Sequence, residues 1–208
     1  LYEDRKFQQN IQGALANGIQ VGVYFYSGAS NAREAYDEAS YCISLIRDYQ
    51  ITYPVAFDWE LDGDYDSVTE ACETFCNVIS SYGYQPMVYS NRNRWYNNFD
   101  GEKIASKYKV WIAAYFGKFY YDSVRWTYGD DLPNFRYHYD MWQYSSRCYV
   151  DGISGQVDVD IAFFGYANYH VDTKDAVLTV TNKEIKRTYG DGIGRLTEEL
   201  NLLDGVKG

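Results

Sequence analysis

Apolar residues along this chain fall into two alternating kinds of block. One kind is short and nearly continuous: IQVGVYFYS (Ile19–Ser27), YPVAFDWEL (Tyr53–Leu61), QPMVYSN (Gln85–Asn91), KVWIAAYF (Lys109–Phe116), YHYDMWQYS (Tyr137–Ser145) and DVDIAFFG (Asp158–Gly165). Rich in β-branched and aromatic residues, these blocks predict six strands. The other kind is longer and periodic. Phe7, Ile11, Ala14 and Leu15 recur at helical spacing between Asp4 and Asn17, and Ala35, Ala39, Cys42, Ile43 and Ile46 form a stripe between Asn31 and Tyr49. A third helix is expected from Ser67 to Tyr82, with Ser67 and Glu70 reading as a capping box. Continuous apolar strands separated by helices predict a parallel sheet covered on both faces, an α/β fold.

Two architectures answer to that pattern, an open doubly wound sheet and a closed β/α barrel. No Gly-rich phosphate loop follows any strand, which weighs against the nucleotide-binding form of the open sheet. Asp58, Glu60, Tyr89, Ser90, Tyr115, Gln143 and Tyr144 gather toward the C-terminal ends of their strands, the face on which barrels build their sites. The expectation is an irregular TIM-like β/α barrel. A closed barrel takes about eight strands, so with six it is expected to be incomplete at its N-terminal end. Leu1 stands where a Met would, and no basic or apolar leader follows it, so the chain is expected to begin inside a longer one. Residues 1–168 read as the barrel domain. The polar, charged stretch 169–208 reads as a linker with a partial extra module.

Composition removes several functions. The 24 Tyr, 10 Phe and 5 Trp among 208 residues can fill a sizeable core, against intrinsic disorder. Lys and Arg number 19 against 29 Asp and Glu, and with a net charge of −10 and no basic run, nucleic acid is not an expected partner. No apolar run approaches the ~18 residues of a membrane helix. Cys42, Cys72, Cys76 and Cys148 follow no metal or redox spacing, and only His138 and His170 are available beside them. No metal and no cofactor is expected, and Cys72 and Cys76, one helical turn apart, read as buried thiols.

The segment that carries chemistry is PVAFDWEL. With a side-chain period of two, Asp58 and Glu60 face one side of the strand and Trp59 the other. Their Cα atoms stand roughly 6.6 Å apart at the usual rise per residue. Two carboxyls that repel one another and are partly desolvated hold a proton to higher pH, and the expectation is a raised Glu60 beside an ionised Asp58. Such a pair suits glycoside hydrolysis, in which one carboxyl protonates the leaving oxygen and the other stabilises or attacks. A helix-capping Asp beside a solvated Glu meets the same D-x-E pattern; the apolar lead-in favours function. Asp158 and Asp160 likewise share a face of the last strand, and in a closed barrel Asp158 could reach the centre. Among the strand aromatics Tyr24, Tyr26, Tyr89, Trp111, Tyr115, Trp142 and Tyr144, most read as packing. Several are expected to line a cleft, where their planes would receive the C–H faces of sugars.

GVYFYS, YPVAFDWEL, PMVYSN, WIAAY, DMWQYSS and GISGQVDVDIAF, in this order and spacing, resemble the lysozymes of glycoside hydrolase family 25 over about Leu1 to Gly165. The resemblance implies an irregular barrel that hydrolyses the β-1,4 bond between N-acetylmuramic acid and N-acetylglucosamine in peptidoglycan. Glu60 then corresponds to the catalytic acid, Asp58 to a residue orienting or polarising the N-acetyl group or a water, and Asp158 to the last-strand carboxylate. Tyr24, Tyr89, Trp111, Tyr115, Trp142 and Gln143 fall in blocks that form the family's groove. Peptidoglycan strands would be the partner of a monomer when complete, working outside the cell, in the wall or at phage lysis. The family's first strand, with its Asp-Val-Ser-like motif, has no counterpart here, and the 208-residue polypeptide is expected to associate and to be inactive alone. YGDGIGRLTEEL (Tyr189–Leu200) is similar to part of a cell-wall-binding repeat. An inactive glycan-binding fragment and a chitinase-like barrel glycosidase are the alternatives, and the retaining or inverting route stays open.

Overall fold

The structure, a computed structural model, describes residues 1–115 and 132–164, and the backbone of 179–180 and 206–207. The order of elements is α1 (Phe7–Ala16), β1 (Val23–Tyr26), α2 (Ala32–Ile46), β2 (Val55–Asp58), α3 (Tyr65–Ser81), β3 (Pro86–Asn91), α4 (Arg92–Asn97), α5 (Gly101–Ala105), β4 (Lys109–Ala113), β5 (Met141–Cys148) and β6 (Val157–Ala162). Two two-residue strands, β7 (Thr179–Val180) and β8 (Val206–Lys207), pair antiparallel with each other. Phe116 and Gly165, which close two of the apolar blocks, lie outside the described residues, as does Tyr189–Leu200.

The six main strands form one sheet in the order β1-β2-β3-β4-β5-β6. β1 to β5 are parallel, and each step between them is spanned by helix or by a long connection. β6 departs from the expected all-parallel sheet: it pairs antiparallel with β5. The reason is the length of the link. Residues 149–156 are too few for a parallel crossover, which takes a dozen or more, and Gly152 and Gly155 turn the chain back with φ of 89° and 98°.

Helices α2 and α3 cover one face of the sheet. Their stripes of Ala35, Ala39, Cys42, Ile43 and Ile46, and of Val68, Ala71, Cys72, Phe75, Cys76 and Ile79, pack with Val55, Phe57, Val88, Val110 and Ile112 of the strands. Phe75 fixes the junction, with its ring 5.9 Å from Phe25 of β1 and 5.2 Å from Phe57 of β2. All four cysteines are buried in the protein, and Cys72 and Cys76 are free thiols, as their spacing led one to expect. α3 begins earlier than expected. Asp64 is its cap, accepting from Ser67 N at 3.0 Å, so Ser67 sits inside the first turn and no Ser67–Glu70 box forms. Among the described residues no helix is long and apolar enough to cross a membrane.

The opposite face curves inward. Phe164, just past β6, has its ring 5.5 Å from Tyr53, just before β2, and lies under Lys109 Nζ at 4.5 Å, at the start of β4. The last strand thus bends round toward the N-terminal ends of the others, giving a mixed α/β fold with a curled, half-barrel sheet. Among the described residues β1 and β6 are its two edges.

Candidate active site

In a parallel sheet, residues in register project to the same side. Tyr26 is in register with Asp58, Asp58 with Tyr89, Tyr89 with Trp111 and Trp111 with Met141, while Gln143 opposes Asp160 across the antiparallel step. That chain of partners maps the concave face. It carries Tyr24 and Tyr26 from β1, Asp58 from β2, Tyr89 from β3, Trp111 from β4, Gln143 from β5, and Asp158 and Asp160 from β6. Tyr24 and Tyr26 are 65% and 51% exposed, so the face opens to solvent at the β1 side.

The carboxyls meet at the C-terminal end of β2. Asp58 is only 6% exposed, and its Oδ1 is buried with no hydrogen-bond partner among the described residues. Burial pushes its carboxyl up to about 7, and the charges of Glu60 and Asp158 add to the rise. The expected ionised Asp58 is thus not what the site holds: burial acts on Asp58, while Glu60 is exposed. Glu60 nevertheless faces the same space, because its charge acts on Asp58, Tyr24, Tyr89 and Tyr115. Asp158 reaches that space from β6. Its own carboxyl is raised by desolvation, and its charge acts on Tyr24, Asp58 and Tyr115.

Polar aromatics wall the groove. Gln143 Oε1 accepts from Tyr89 Oη at 2.7 Å and also from Tyr115 Oη. Burial, then the neighbouring Tyr115, Glu60 and Asp58, hold the Tyr89 phenol protonated, which keeps it a donor. The Trp111 ring meets Tyr89 edge-on at 4.6 Å, and its Nε1 donates to Asp160 Oδ1 at 2.7 Å. Desolvation pushes Asp160 up to about 7 against the opposing effect of that bond, although the residue still opens onto the groove.

Of the residues singled out from sequence, Asp58, Glu60, Asp158, Tyr24, Tyr89, Trp111, Tyr115 and Gln143 come together here. Trp142 does not. It is fully buried in the core and donates from Nε1 to Ala114 O at 2.7 Å. The alternation of a strand already forbids Trp142 and Gln143 from sharing a face. Asp160, read from sequence as sharing a face of the last strand with Asp158, joins the groove residues from the same VDVD run. Sequence reading passed over three supports, Arg94, Gly63 and Glu38. Arg94 of α4 donates from Nε to Leu61 O at 2.9 Å and lies 3.7 Å from Asp62 Oδ1, clamping the loop that follows Glu60. Beneath that loop, a Cβ on Gly63 would stand 2.6 Å from Val68 Cγ2 and 3.1 Å from Trp59 Cζ2, so only glycine lets it lie so close. Glu38, buried on α2, accepts from Ser27 Oγ at 2.5 Å and Gly28 N at 2.9 Å, fixing the end of β1. Neither Arg94 nor Glu38 carries a local pattern that would reveal its partner. Among the described residues no group of three or more His, Cys, Asp or Glu is placed to hold a metal ion.

Comparison with known proteins identifies the family. The description "Glycosyl hydrolases family 25" matches residues 1–153. The chain is 25% identical to the autolytic lysozyme of Clostridium acetobutylicum over 221 residues, all of this chain and 58% of that protein. It is 30% identical to the lysozyme of Streptococcus phage Cp-1 over 137 residues, 61% of this chain and 37% of that one. The chain thus spans well under two thirds of these relatives' lengths. Among solved structures, the CTP1L endolysin superposes with a TM-score of 0.62 at 25% identity, covering 78% of this chain and 54% of its own. The modular autolysin LytC from Streptococcus pneumoniae, in complex with a synthetic peptidoglycan ligand, gives 0.63 at 28% identity, covering 76% and 37%. With three quarters of its length matched and its carboxyls gathered at the end of β2, this chain belongs to glycosyl hydrolases family 25.

Proposed function

We propose that the protein is a peptidoglycan hydrolase that cleaves the β-1,4 bond between N-acetylmuramic acid and N-acetylglucosamine by carboxyl acid/base catalysis. The observation that carries this reading is the meeting of Asp58, Glu60 and Asp158 in one aromatic-walled groove. Two of these carboxyls sit two residues apart at the end of a buried strand, the other arrives from the opposite side of the curl, and tyrosines and an indole line the space between them. Glu60, exposed to the groove, donates the proton to the leaving glycosidic oxygen. Asp58, held neutral to about pH 7 by its burial, orients the substrate's N-acetyl group or a water through hydrogen bonding. Asp158 supplies negative charge across the groove, where positive charge develops on the sugar ring. Tyr24 and Trp111 present planes to the sugars, while Tyr89, Tyr115 and Gln143 hold one another in place.

The named relatives support the substrate class: two are lysozymes, and LytC is seen with a peptidoglycan ligand. Their action on cell wall is consistent with work outside the cell or at phage lysis. We further read the curled sheet as the larger part of a TIM-like barrel, whose opening between β1 and β6 is filled by strands from elsewhere in the protein. In that form it acts as a monomer.

The test is digestion of purified peptidoglycan by the protein at its natural length, followed by identification of the new reducing ends. Reducing N-acetylmuramic acid is expected. Binding without release of reducing ends would make the chain a glycan-binding module, and cleavage of chitin alone would make it a chitinase-like glycosidase.

A further inference from the structure

We propose that Asp160 is a positioning residue that fixes the indole of Trp111 as a flat wall of the groove, ready to receive the apolar face of a sugar ring. The stacking half of this statement rests on the proposed function; the fixing of the indole does not.

Trp111 is half-buried at the centre of the concave face. Its Nε1 donates to Asp160 Oδ1 at 2.7 Å, and its ring meets Tyr89 edge-on at 4.6 Å with 61° between planes. The ring is therefore held at two points, from β3 on one side and from β6 on the other. Such pairing is not automatic in this protein, since the buried Nε1 groups of Trp59 and Trp95 have no hydrogen-bond partner among the described residues. Asp160 is itself well placed to act as an anchor. It lies on β6 opposite Gln143, the acceptor that gathers Tyr89 and Tyr115. Two acceptors side by side in the ladder thus hold three aromatic groups of the wall. A sugar entering the groove displaces the water that could otherwise satisfy a loose indole N–H, so a built-in acceptor spares the complex an unsatisfied donor. A half-buried ring with its edge pinned keeps one orientation, and little rotamer freedom is left to lose on binding.

Two substitutions separate positioning from chemistry. Asp160→Asn keeps an oxygen where Trp111 needs it, and Asp160→Ala removes it. Indole N–H resonances read the anchor directly in the free protein, with Trp111→Phe identifying the signal. That signal is expected to shift and exchange faster with water in Asp160→Ala, and to stay near its place in Asp160→Asn. On peptidoglycan, Asp160→Ala is expected to raise KM about tenfold, the loss of one hydrogen bond to the indole, with kcat little changed. Asp160→Asn should behave nearly as wild type, and Asp160→Ala should add nothing to Trp111→Phe. An unmoved indole signal in Asp160→Ala overturns the anchor. A kcat loss shared by Asp160→Asn and Asp160→Ala, or a full Asp160→Ala effect on top of Trp111→Phe, overturns positioning in favour of a direct role. Should the wild-type protein leave peptidoglycan intact, the functional reading fails, and the indole signal alone decides whether Asp160 fixes Trp111.

Discussion

Asp58 shows how the site draws on the stability of the fold. A carboxyl this buried, with one oxygen unpartnered among the described residues, is costly to ionise, and its pKa rises from 3.8 to about 7. The folded state then holds a proton that the unfolded chain has already released. Stability from this group is full below about pH 4 and falls as pH climbs through about 7. Asp58→Asn carries no charge at any pH. At pH 8 it is expected to be more stable than wild type by on the order of 1–3 kcal/mol, whereas at pH 4 the two should coincide; urea denaturation at both pH values measures this. Hydrolysis should suffer in the variant, as expected where activity and stability compete for one residue.

At the scale of elements, the strand carrying the carboxyls is held from both faces. Phe57 and Trp59 stack 6.1 Å apart on the helix-covered side, and Arg94 of α4 clamps the loop on the other side of Glu60. Arg94→Ala is expected to lower kcat by about tenfold through misplacement of Glu60. It should cost no more than ~1 kcal/mol in stability, because Asp62, the partner in its ion pair, is open to solvent. Steady-state kinetics beside a thermal melt would show that split. Asp64→Ala, which removes the cap of α3, should do the reverse, costing about 1 kcal/mol with activity intact.

Six strands and three helices were legible because apolar runs and helical stripes are local signals. The direction of β6 was not. Its composition suits either direction, and the eight-residue link, not the strand, decides it. The short helices α4 and α5 carry too few turns for a stripe to register. Site residues on the alternating face of β2 to β6 were legible as a set, while the burial of Asp58, the core position of Trp142 and the Arg94 clamp follow from tertiary packing.

For the molecule as a whole, the curl brings β6 round toward β2, and among the described residues β1 and β6 are the edges of the sheet. Open apolar edges template association. The 208-residue polypeptide is therefore expected to elute earlier from a sizing column as its concentration rises; a single monomer position across a hundredfold range would contradict that. The same curl makes the groove, because it carries the carboxyl of Asp158 to face Asp58 and Glu60. The most direct test compares the protein at natural length with its Glu60→Gln variant on purified peptidoglycan, scoring reducing N-acetylmuramic acid ends and pelleting with the wall. Wild type should release those ends, and Glu60→Gln should lose at least about 100-fold in rate while still pelleting. A Glu60→Gln protein that cleaves at the wild-type rate would contradict the assignment of Glu60 as the acid, as would reducing ends of N-acetylglucosamine alone contradict the bond.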